Sequence, residues 1–195
     1  MRRHLRQAGF TVHIRSYGHL RQNAERSAAD LGQFLDGLDA EHVHLVVHSF
    51  GGVVVLHLLE QSDARRVERL SSLVFLGSPL VGSELTHHLL QSKAGRWWRW
   101  LLGSALDRGL AGEQPAFALP MAHALVAGTG KSWLTRWLWS NPPPGDGLVS
   151  VREAQPENQQ AGASEIHTLP IHHAAALLYN KDCMSLVSKY LQSHL

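Results

Sequence analysis

Residues 43–47 (VHLVV) and 70–76 (LSSLVFL) are short, almost unbroken apolar runs, whereas residues 24–38 set Ala28, Leu31, Phe34, Leu35 and Leu38 at helical spacing among polar neighbours. The two patterns predict different elements. A run of that length fits a strand covered on both faces, and the three-and-four spacing fits an amphipathic helix. Residues 51–60 carry a dense apolar face and predict a second helix directly after the first run. Weaker strand signals occupy residues 122–127 (AHALVA) and 165–169, and residues 183–191 read as a closing helix. At the start of the chain, residues 1–9 read as a short helix ending near Gly9, where a residue without Cβ suits the left-handed cap. Residues 10–15 (FTVHIR) are β-branched and roughly alternating, which predicts a strand closed by Tyr17 and Gly18. Strands that alternate with helices and read as continuous apolar runs imply an α/β fold, a mostly parallel sheet with helices on both faces. Residues 141–147 (NPPPGDG) and 156–164 are loop-like, but strand and helix patterns resume after each, so residues 1–195 read as one domain.

Composition narrows the function. The hydrophobic fraction of 44% is enough for a substantial core, and a net charge of +2 with scattered basic residues gives no footprint for nucleic acid. The single cysteine, Cys183, cannot form an internal disulfide, and no stretch reaches the roughly 18 apolar residues of a membrane-spanning helix. Residues 1–9 (MRRHLRQAG) lack the apolar segment of a secretory signal, so the expected location is cytoplasmic.

The chemistry gathers around Ser49. In VHSFGG (residues 47–52) it stands between an apolar strand and an apolar helix, with Gly51 and Gly52 small enough for a sharp turn that lifts a hydroxyl clear of the sheet. The helix start supplies backbone N–H groups and a positive dipole end where negative charge is favoured. The competing reading is that Ser49 only caps that helix. A nucleophilic serine needs a base, and the base an orienting carboxylate. Asp146, in PGDGLV, is the candidate acid, with an ordinary Asp-Gly turn as its alternative. The chain has 14 histidines, so presence alone means little; His167, His172 and His173 are the candidates near the last short strand, and His167 falls within the strand itself. There is no HExxH or CxxC, and a phosphate loop at GTGKS fails because its first glycine falls on Leu125.

VHSFGG resembles the GHSxGG elbow of the α/β-hydrolase superfamily, and HLVVHSFGG its lipase and esterase branch, with Val47 where the motif usually has a small residue. PGDGLV resembles the acid loop of lipase-like members, LPIHHAAAL the segment that carries their base, and GSPLVGS the stretch after the corresponding strand. The resemblance implies a serine hydrolase of carboxylic esters, without metal or organic cofactor, in which Ser49, Asp146 and His173 form the triad and the Phe50 N–H is an oxyanion donor. Its partner is then a small acyl ester or lipid. A non-catalytic or weakly active remnant binding a lipid or a protein partner is the alternative, and an acyltransferase with the same triad is the third. All six tryptophans lie in residues 97–139, and residues 84–121 read as a cap insertion; Trp97, Trp98 and Trp100 are candidate acyl-chain contacts, or core anchors. In the family a second oxyanion donor follows an early strand, usually beside a His-Gly pair, and neither precedes Phe10. The fold is therefore expected to lack its first strands, to be weakly active, and to self-associate through an exposed sheet edge.

Overall fold

The computed structural model describes residues 1–16, 23–92, 119–130, 141–156, 163, 165–173 and 175–195. Within them, strands β1 (Val43–His48), β2 (Leu70–Leu76), β3 (Ala122–Gly128) and β4 (Glu165–Leu169) form one sheet in the order β1-β2-β3-β4, every neighbouring pair parallel. Helices α1 (Arg2–Gln7), α2 (Ala24–Asp36), α3 (Phe50–Glu60), α4 (Ala64–Arg69), α5 (Glu84–Gln91), α6 (Val151–Ala154), α7 (Ala175–Tyr179) and α8 (Lys181–Gln192) accompany it.

The apolar runs are continuous because both faces of the central strands are covered. Leu73, Phe75 and Leu125 turn toward α2 and α3, joining Ala28, Leu35, Val53 and Leu58 in one cluster. Their neighbours Val74, Leu76, Ala124 and Val126 turn the other way, onto Leu5 of α1 and Cys183, Val187 and Tyr190 of α8. This is the period of two expected of a strand, with oil on both sides. β1 differs: all six of its residues are only half-buried, and among the described residues it pairs with β2 alone. No described helix is long and apolar enough to cross a membrane.

Helix α1 ends as its sequence implies. Gly9 adopts φ 96°, Gly9 N–H donates to Arg6 O and Phe10 N–H to Leu5 O, which is the paired closure of a Schellman motif. The strand expected over residues 10–15 does not form. Its alternation is nevertheless realised in packing: Phe10 and Val12 join the α8-side cluster, whereas His13 stands edge-on to Phe34 of α2 and Arg15 lies over the same ring. The side chains find both layers, but the backbone enters no ladder, and a strand exists only by pairing. Tyr17 and Gly18 lie outside the described residues. Helix α4 carries too few apolar residues to show a period, yet Asp63 caps it through Arg66 N–H at 2.9 Å.

The parallel order brings the C-terminal ends of the strands to one side. His48, Leu76 and Val126 stand level in register, so the chain leaves each strand at nearly the same height.

Candidate active site

Ser49 follows β1 with φ 54° and ψ −127°, and it is the one non-glycine residue with positive φ among those described. A residue with a Cβ is strained there, so the surroundings must enforce it. Its N–H donates to Leu76 O at 3.0 Å, tying the turn to β2, and α3 beyond it is anchored by Val53, Val55 and Leu56, each 0% exposed. The close contact that demands a small residue falls at Gly52, where a Cβ would lie 2.4 Å from Ser78 Cβ. Val47 meets no such limit and packs half-buried against the α2–α3 cluster, so the β-branched residue is accommodated.

Ser49 occupies the N-cap position of α3 but makes no capping hydrogen bond. Asn23, Asp63, Ser83 and Asn180 all cap their helices through the side chain. The Ser49 hydroxyl instead donates to His173 Nε2 at 2.7 Å. His173 Nδ1–H donates in turn to Asp146 Oδ2 at 2.7 Å, and the second carboxylate oxygen accepts the N–H groups of Leu148 and Val149 at 3.0 and 2.9 Å. Those turn amides and the imidazole orient the acid from two sides. The His173 N–H also donates to Asp146 O at 3.0 Å, so the two residues are joined through backbone and side chain. Asp146 is 2% exposed and His173 6%, which shields their hydrogen bond from water. His172 is exposed.

The room for this pair is made by Gly77. It holds φ 53°, and a Cβ there would stand 2.9 Å from Asp146 Oδ2 and 3.3 Å from His173 Nδ1. Glu153 supports the acid loop from below. With Ser150 it forms a capping box at α6, and its carboxylate also accepts the N–H of Glu84 at the start of α5. Its carbonyl takes the Leu80 N–H at 2.9 Å. One buried carboxylate therefore clips the loop of Asp146 to the loop after β2. Burial pushes the Glu153 carboxyl above its ordinary value, outweighing the amides of Ser150 and Glu84, which pull it down. Sequence reasoning missed Gly77 and Glu153; the S-x-x-E spacing of Ser150 and Glu153 was the available signal for the latter.

Phe50 opens α3, buried directly after Ser49. Trp97, Trp98 and Trp100, and most of the proposed cap, lie outside the described residues. Within GTGKS, Thr129 N–H donates to Leu169 O and Gly130 N–H to Ile171 O, whereas Lys131 and Ser132 lie outside the described residues. No group of three or more metal-ligating side chains occurs among the described residues. Burial pushes the Cys183 thiol up to about 11, which leaves it no competing nucleophile.

The family profile for the alpha/beta hydrolase fold matches residues 5–117. No curated protein matches the chain in sequence. Among solved structures, a metagenomic carboxyl esterase superposes with a TM-score of 0.67 at 19% identity, over 93% of this chain and 65% of that one. This chain thus spans just under two thirds of that esterase. A pyrethroid hydrolase superposes with a TM-score of 0.63 at 14% identity, over 98% of this chain and 90% of that one. A Bacillus licheniformis lipase does so with 0.57 at 17% identity, over 92% and 77%. At these identities the likeness is one of fold.

Two outcomes follow from the geometry. Gly77→Ala forces Asp146 from His173 and strains a positive φ, so the hydrogen-bonded Nδ1–H proton of His173 should vanish from the low-field proton NMR spectrum, with stability lowered by about 1 kcal/mol or more. A retained resonance would show that the loop yields. For Glu153 the folded state binds a proton more readily than the unfolded chain, so its contribution to stability rises as pH falls toward the ordinary carboxylate range. Urea midpoints measured between neutral and mildly acidic pH should show the wild type gaining on Glu153→Gln as pH falls; the opposite slope would mean the amides outweigh burial.

Proposed function

The chain belongs to the alpha/beta hydrolase fold family, and we propose that it is a serine hydrolase that cleaves carboxylic esters through an acyl-enzyme intermediate. The observation that carries this reading is the unbroken relay of two 2.7 Å hydrogen bonds, Ser49 to His173 to Asp146, ending on a strained serine that caps nothing. A serine hydroxyl alone is a poor nucleophile at neutral pH, and such a relay is the standard remedy.

In the proposed mechanism Ser49 Oγ attacks the acyl carbonyl as His173 Nε2 takes its proton. Asp146 Oδ2 holds the Nδ1–H, fixing the tautomer and stabilising the imidazolium that forms. The developing oxyanion lies at the start of α3, where the Phe50 N–H is the proposed donor and the helix dipole favours negative charge. The tetrahedral intermediate collapses, and His173 returns the proton to the departing alcohol. Water then enters, His173 takes one of its protons, and the acid is released with Ser49 restored. The substrate is a small acyl ester or a lipid, with Trp97, Trp98 and Trp100 proposed to face its acyl chain. The similar proteins of known structure include an esterase, a lipase and a pyrethroid hydrolase, which supports ester chemistry without fixing the acyl group.

An alkyl fluorophosphonate should label the folded wild type at Ser49 and leave Ser49→Ala unlabelled. Absence of labelling in the wild type, or labelling that survives Ser49→Ala, would overturn the assignment. With a p-nitrophenyl ester, His173→Ala should lower turnover by a factor on the order of a thousand or more, while His172→Ala keeps most of it. The reverse result would move the base by one residue.

A further inference from the structure

His48, the residue before the proposed nucleophile, holds a contact that the mechanism above does not use. It ends β1, and the alternation of the strand sends its side chain to the face opposite Val47. There its Nε2 meets the backbone carbonyl of His173 at 2.9 Å, and the two imidazole rings lie with centroids 4.9 Å apart and planes inclined at 36°. A carbonyl oxygen only accepts, so Nε2 carries the proton. Burial holds the His48 pKa below the ordinary histidine value; His173 adds to that lowering, while its backbone bond and the charge of Asp146 act against it. Burial thus favours the uncharged ring, and the His173 carbonyl selects the tautomer that donates from Nε2.

With that contact counted, His173 is gripped at every polar atom of its own residue except the one facing Ser49. Its N–H is held by Asp146 O, its Nδ1–H by Asp146 Oδ2 and its C=O by His48, which leaves Nε2 for the serine hydroxyl. The donor at the carbonyl is covalently adjacent to Ser49. The strand that delivers the nucleophile thus also fixes the distance to its base.

We propose that His48 is a positioning residue for His173: its Nε2–H sets the backbone of the base relative to Ser49, so that the hydroxyl and Nε2 stay at transfer distance through turnover. This rests on the serine hydrolase reading. A second consequence is electrostatic. A neutral ring beside His173 opposes the imidazolium of each cycle far less than a charged one would.

The test compares His48→Phe, which keeps a ring in place but has no donor, with His48→Gln, which restores an N–H near the end of the side chain. Turnover of a p-nitrophenyl ester and the rate of fluorophosphonate labelling at Ser49 are measured on the full chain. His48→Phe should lower kcat and the labelling rate together by about tenfold, the worth of one neutral hydrogen bond, with KM changed by less than about twofold. His48→Gln should recover most of both. If His48→Phe does not fold, His48→Leu replaces it against the same glutamine variant. A donorless variant that labels and turns over at the wild-type rate would overturn the proposal, as would equal losses in the donorless and glutamine variants or a change confined to KM. A wild type that is not labelled at all removes the hydrolase reading itself, and this one with it; the other failures remove this one alone.

Discussion

A serine on relaxed backbone at the start of a helix gives its hydroxyl to the helix. Ser83 and Ser150 both do so, their hydroxyl oxygens accepting the N–H groups of Thr86 and Glu153 from ordinary extended backbone. Ser49 is withheld from that role by φ 54°, a conformation that costs on the order of 1–3 kcal/mol and lasts only where the surroundings over-determine it. Everything near it serves that end. β1 and β2 fix the height of the turn, Leu76 O holds its amide, α3 is anchored in a fully buried cluster, and Gly52 lets the helix close against Ser78. The strain is thus spread over two strands and a helix, none of which could relax it alone.

What the chain reveals by inspection is mainly local period. The runs at β1 and β2 and the spaced apolar face of α2 announce themselves because burial on two faces, or on one stripe, writes directly into residue order. Gly9 was legible for the same reason, since a left-handed cap needs a residue without Cβ. β3 gave a weaker signal: its Ala122, Ala124 and Ala127 are small and without β preference, and the strand is enforced by lying between β2 and β4 with both faces covered. Residues 10–15 show the converse. Alternation encoded which side chain meets which layer, but pairing depends on a partner elsewhere in the chain, and no local pattern carries that information.

The site divides along the same line. Ser49 and its glycines form a local motif, readable as a string. Asp146 and His173 were named through resemblance, and nothing in residue order alone would have chosen His173 among 14 histidines. Gly77 and His48 act through atoms distant in sequence: one by the Cβ it lacks beside Asp146, the other by a bond to a backbone carbonyl. Such roles appear only in three dimensions, because backbone atoms look the same at every position of a sequence.

The separations along the chain carry a biological consequence. Ser49 and His173 are 124 positions apart, and Asp146 and His173 are 27, so their relay closes only after all four strands have taken their places. Contacts of that span form late, because the ordering of the intervening chain precedes any gain from them. A nascent or partly folded copy holds Ser49 without its His173 partner. The Ser49–His173 hydrogen bond is therefore a mark of completed folding, formed only in chains whose distant segments have met.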